Sequence, residues 1–150
     1  MMGRRLIINK PYTRTGPFLD VKVLILNPHT NQQTSFDQVC LVDTGFSGGL
    51  HVPRSREAEI RLIGVEATPT TVSLAGGVPG TGYVCFAYVQ RIEDFWFPMP
   101  GIETELLIRG EEPALLGRDI LKSMIAEFDG PRKLLSIYQP ASDRDCAHKV

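Results

Sequence analysis

The sequence predicts an all-β domain. Three features carry that reading: short runs rich in aliphatic and β-branched residues, glycine and proline breaks between them (14 Gly and 11 Pro), and no stretch between those breaks suited to a long helix. A chain of 150 residues fits one domain and is long enough to bury a core. The strand-like pattern spans 18–138. Residues 1–17 read as an N-terminal extension, and 139–150 as a flexible polar tail.

The first strand, Phe18–Leu26, places Val21, Val23 and Ile25 on one face, and Asn27-Pro28 ends it. A second strand at 35–42 closes on the apolar trio Cys40-Leu41-Val42. Residues 53–62 predict a helix: Pro53 suits a first turn, with Ala58, Ile60 and Leu62 as its apolar side. Two β-rich arms, 71–74 and 83–89, flank Ala75-Gly76-Gly77-Val78-Pro79-Gly80-Thr81-Gly82, and so glycine-rich a tip predicts a mobile hairpin. Further strands are expected at 92–97, Ile102–Ile108, 124–128 and 134–138, with a turn at Asp129-Gly130-Pro131 and a short helix at 118–123.

Composition narrows the function. Sixteen basic residues against seventeen acidic ones leave a net charge of -1, without the basic excess that nucleic-acid or membrane-surface binding needs. The longest aliphatic runs, such as Val23-Leu24-Ile25-Leu26, fall far short of the roughly 20 apolar residues of a membrane span. Leu6-Ile7-Ile8 after Arg4-Arg5 is too short for a signal-peptide core. Three scattered cysteines (Cys40, Cys85, Cys146) fit a reduced, cytoplasmic protein, with Cys40 and Cys85 as small buried residues.

The segment that carries chemistry is Val39-Cys40-Leu41-Val42-Asp43-Thr44-Gly45. An apolar strand delivers a carboxylate into a tight turn, which is costly unless backbone and hydroxyl donors hold it. Gly45 lets the backbone fold close, and Thr44 adds a hydroxyl. Alone, the tripeptide is an ordinary turn sequence. Beyond the glycine-rich hairpin, however, comes Ala114-Leu115-Leu116-Gly117-Arg118-Asp119-Ile120-Leu121, a second apolar strand running through glycine into a helix.

This order resembles the retropepsin-like aspartic peptidases over most of the chain: an apolar pair before Asp-Thr-Gly, a flap, then an apolar pair before Gly-Arg-Asp and a helix. The resemblance implies a closed, barrel-like β domain with a flap hairpin and one short C-terminal helix, acting as a homodimer on peptides or unfolded proteins, without metal or cofactor. Asp43 is then the catalytic aspartate, paired with Asp43 of a second subunit. Thr44 braces the two loops across the axis, and the Gly45 amide steadies the carboxylates. Leu116 and Gly117 pack beneath the turn, and Arg118 starts the helix behind it. Ala75, Gly76 and Gly77 form the flap that closes over substrate. The chain contains one Asp-Thr-Gly and no Asp-Ser-Gly, so a dyad requires two chains. Two departures stand out. Phe46-Ser47-Gly48-Gly49 lacks the acidic residue that pairs with the helix arginine in retroviral relatives, and Pro79 removes a backbone donor near the flap tip.

Other readings fare worse. Gly45-Phe46-Ser47-Gly48-Gly49 matches the nucleophile elbow literally, but Leu50-His51-Val52-Pro53 is extended where that motif needs a helix, and His51 stands in the wrong order. Ser47 and His51 remain candidates to line a cleft. His29, His51, His148 and the cysteines show no metal-ligand spacing beyond Cys146-x-His148. Gly77 to Gly82 lacks the Lys-Ser/Thr of a phosphate loop. Phe95-Trp96-Phe97 reads as strand and core. Asp119 reads as an acid at a helix start rather than a catalyst. The rival of a different class is a non-catalytic dimeric peptide-binding or scaffold domain of the same fold.

Overall fold

The computed structural model describes residues 3–73 and 75–140. Eleven strands are found there: β1 (Arg4–Pro11), β2 (Phe18–Leu26), β3 (Gln33–Val42), β4 (Leu50–Val52), β5 (Thr68–Ser73), β6 (Pro79–Ile92), β7 (Phe95–Trp96), β8 (Ile102–Ile108), β9 (Ala114–Leu116), β10 (Ile125–Asp129) and β11 (Leu134–Pro140). Two short α-helices, α1 (Glu57–Leu62) and α2 (Arg118–Leu121), complete the regular structure with two 3₁₀ turns, Arg54–Arg56 and Ala75–Gly77.

Six strands close into a barrel in the order β2-β3-β9-β4-β8-β6, with β6 returning to pair with β2. Strand alternation fills its interior. Leu19, Val21, Val23 and Ile25 of β2 are fully buried, as are Leu50 and Val52 of β4, Leu106 of β8 and Leu116 of β9. Closure removes the exposed edges an open sheet would leave. β5 pairs with β6 outside this circuit, from Thr68↔Val84 to Ser73↔Pro79, and forms a hairpin standing off the barrel.

A second, three-stranded sheet, β1-β11-β10, adds Ile8, Leu135 and Ile137 to the core. The expected N-terminal extension therefore carries a strand of the fold: β1 pairs with β11 from Arg4↔Pro140 to Pro11↔Leu134. Gln139 and Pro140, read as the start of the tail, end β11. The rest of the expected tail, with Cys146 and His148, lies outside the described residues, as does Leu74 in the hairpin.

Two further expectations change. The helix at 53–62 is a 3₁₀ turn followed by α1, and its apolar side is not the expected one. Ile60 is 2% exposed, whereas Leu62 is 84% exposed and Ala58 is also exposed. Positions 58 and 62 share one stripe of a helix, while position 60 lies about 200° round from 58. The barrel takes the side of Ile60 and Ile63. The strand expected at 92–97 shrinks to β7 because Glu93, with φ of 51°, turns the chain so that Phe95 pairs back on Ile92.

Cys40 and Cys85 are buried free thiols. Burial, with a smaller contribution from the negative charges of Glu112 and Asp20, pushes Cys40 up to about 12, and burial pushes Cys85 up to about 11. A raised thiol pKa in the folded state favours folding fully below the ordinary value of 9.0, and this contribution is lost as pH rises from there through the folded values. In the folded protein Cys40 and Cys85 are expected to resist thiol reagents at pH about 8 until denaturant exposes them. Its urea midpoint should fall between pH about 9 and 11, more than in a Cys40→Ala, Cys85→Ala double variant.

Candidate active site

The site is built on the way β9 inserts between two strands joined by a loop. Residues 43–49 connect β3 to β4, and β9 runs between them, parallel to β3 (Val42↔Leu116) and antiparallel to β4 (Leu50↔Leu116). Buried Leu116 therefore meets both ends of the loop, and its carbonyl accepts the Asp43 N–H at 3.0 Å. The chain then turns into α2, whose first N–H groups have no partners within the helix. The loop carbonyls satisfy them. Gly117 N–H donates to the Gly49 carbonyl (2.8 Å), Arg118 N–H to Phe46 (2.9 Å) and Asp119 N–H to Gly48 (3.1 Å). This close approach requires glycine at 117, where a Cβ would overlap the Gly48 carbonyl oxygen and lie 2.6 Å from the Phe46 ring.

Asp43 is fixed by its own turn. Its carbonyl accepts Phe46 N–H at 3.2 Å, and its Oδ1 accepts Gly45 N–H at 2.9 Å. The carboxylate opens onto a cleft of about 740 Å³, within the range of ligand-binding pockets. Gly45, Phe46 and Ser47 form the wall beside it. The floor is a row across three adjacent strands: Leu115 of β9, His51 of β4 and Leu107 of β8 are register partners on the outer barrel face. Thr71, Val72 and Ser73 of β5 form the opposite wall, and Arg109 closes the row just past β8.

Asp43 and Gly45 thus lie in the cleft, and Leu116, Gly117 and the Arg118 backbone lie behind them. Thr44 is exposed beside the cleft. Ala75, Gly76 and Gly77 form the 3₁₀ turn of the β5–β6 hairpin, with Gly76 at φ 80° and Gly77 at φ 77°, and these two glycines are not among the described residues that line the cleft. The β5 arm does so instead. Among the described residues Arg118 makes no ion pair, which leaves its departure from the retroviral pattern in place. Ser47 and His51 both line the cleft. Sequence reasoning missed Thr71, Val72, Ser73, Leu107, Leu115 and Arg109. The signal for Leu107 and Leu115 was strand alternation, since each sits between two inward residues. Arg109 gave no signal, being one charged residue after an apolar strand.

The loop before β9 is braced from outside. Glu112 Oε2 accepts the Ala114 N–H at 3.0 Å, and its Oε1 accepts from Gln38 Nε2 at 3.1 Å. Arg56 Nε donates to Gln38 Oε1 at 3.1 Å, and the guanidinium carbon of Arg56 lies 4.5 Å from the centre of the Phe36 ring. Glu112→Ala removes the shared acceptor and leaves the Ala114 N–H without a partner, while Gln38 Nε2 keeps its bond to the Val39 carbonyl, so it is expected to lower stability by ~1–2 kcal/mol. A drop of several degrees in melting temperature would report this, and an unchanged melting temperature would show the brace to be idle.

The chain matches no protein-family model and no curated protein sequence. Among the described residues no helix is long and apolar enough to cross a membrane, and no group of three His, Cys, Asp or Glu side chains gathers as metal ligands would.

Proposed function

We propose that this chain is one subunit of a homodimeric, retropepsin-like aspartic endopeptidase, working in a reducing, cytoplasmic setting on peptides or unfolded proteins. One observation carries the reading. Asp43 leaves an apolar barrel strand, is held by the Gly45 N–H, and opens onto a cleft walled by a hairpin arm. A scaffold domain has no evident need of a carboxylate so placed.

In the dimer, two Asp43 carboxylates meet across the two-fold axis about 3 Å apart and share one proton, because both cannot ionise readily at that separation. The ionised member takes a proton from a water as the water oxygen attacks the scissile carbonyl. The protonated member hydrogen-bonds the carbonyl oxygen as it gains charge. Transfer of a proton to the amide nitrogen then breaks the C–N bond, releasing a carboxylic acid and an amine. The titration belongs to the pair. Thr44, exposed in the single chain, is available to brace the second loop. The β5–β6 hairpin closes over the substrate, with Thr71 and Ser73 presenting hydroxyls to it.

A peptide library incubated with the protein from acid to neutral pH tests this reading. Cleavage with a bell-shaped pH dependence is expected. A confirmed dimer that cleaves nothing across that range would instead favour a binding domain.

A further inference from the structure

Arg109 is the feature of the cleft that the proposed chemistry does not use. Asp43 and Arg109 are the residues of full opposite charge in the lining, yet they make no ion pair with each other, and Arg109 makes none with any described residue. Its Nε is enclosed and lacks a hydrogen-bond partner. Buried polar groups are satisfied in the great majority of cases, so such a donor points to a missing partner.

The neighbouring histidine strengthens the point. His51 is 9% exposed although it sits on the outer face of its strand. Its Nε2 lies 2.6 Å from the Arg109 carbonyl. A carbonyl only accepts, so Nε2 carries the proton and donates. Its Nδ1 is enclosed and also has no partner. Two enclosed, unpartnered polar atoms thus belong to residues that are joined by a hydrogen bond and line one cleft. The β6 backbone packs closely against this corner. Gly82 of β6 sits beside this corner, where a Cβ would lie 2.8 Å from Leu107 Cδ1 and 3.4 Å from Arg109 Cβ.

We infer that Arg109, positioned by His51, is a specificity-determining subsite for a carboxylate on the substrate. A carboxylate in the cleft pairs its two oxygens with the terminal N–H groups of the guanidinium, a bidentate geometry that arginine favours. The group comes from a Glu or Asp side chain or from the C-terminus of the peptide. His51 is a positioning residue that holds the backbone of Arg109. The inference rests on the peptide-cleft reading, but its test does not depend on turnover.

The test measures binding to Asp43→Asn by fluorescence anisotropy. The probes are labelled peptides that differ only by Glu against Gln at one position, each with an amidated and a free C-terminus. Binding of the carboxylate form about tenfold or more tighter is expected, in line with a hydrogen bond to a charged group. A preference for Glu identifies a side-chain carboxylate, and a preference for the free terminus identifies a terminal one. Arg109→Gln in the same background should bring the ratio close to one, and Arg109→Lys should restore part of it. Equal binding of all forms by the intact cleft, or a preference that survives in Arg109→Gln, would overturn the inference. Carboxylate preference without cleavage by the wild type would leave the subsite standing and sink the peptidase. Cleavage without that preference would do the reverse.

Discussion

Asp43→Asn is expected to abolish peptide cleavage, with a loss of at least about 10³-fold, the scale of a lost general acid–base group. Structure should not change with it. Asparagine keeps the oxygen that accepts the Gly45 N–H at 2.9 Å and the backbone bonds to Leu116 and Phe46. Melting temperature and oligomeric state should therefore stay near wild type. That contrast separates chemistry from folding: a variant that is folded, dimeric and inactive locates the reaction at this carboxylate. Activity retained within a few-fold of wild type would remove Asp43 from the mechanism.

Gly117→Ala is expected to give the largest loss of stability. Its φ of -106° is open to any residue, so conformation is not the obstacle. Space is: the added methyl would overlap the Gly48 carbonyl and stand 2.7 Å from the Phe46 carbonyl oxygen. Both atoms are backbone, and both carbonyls accept bonds from α2, so relief means pushing the Asp43 loop away from Asp119 and Arg118. Overpacking of this kind costs ~1–3 kcal/mol or more, and the loop bonds would weaken with it. Denaturant unfolding would read the stability change. Activity should fall further than stability, because the displaced loop carries the carboxylate. A variant as stable and active as wild type would mean the clamp between loop and helix does not matter.

Sequence reading succeeded where one physical signal dominated. β2 and β8 were placed at their observed bounds, Phe18–Leu26 and Ile102–Ile108, because buried residues recur at every second position along them and turn residues bound them. The glycine-rich hairpin was legible from Gly76 and Gly77, whose positive φ angles glycine alone adopts cheaply. β1 was not read as part of the fold. Its pattern is mostly exposed, with Ile8 its one buried residue, and its place depends on a partner at the far end of the chain. The Asp43 loop was found by motif, but its clamp was not. Three hydrogen bonds from Gly117, Arg118 and Asp119 follow from β9 running between β3 and β4, a non-local fact. Arg109 was missed for the same reason: only the register across β9, β4 and β8 brings it to the cleft.

The claim that one catalytic dyad is shared by two chains is tested most directly by subunit mixing. Wild type and Asp43→Asn would be mixed at varied ratios at constant total concentration, with exchange confirmed by labelled subunits. A dyad drawn from both chains makes the mixed dimer inactive, so activity should follow the square of the wild-type fraction and fall to about a quarter in an equal mixture. Activity proportional to the wild-type fraction, about half in that mixture, would mean each chain works alone and would contradict the shared dyad.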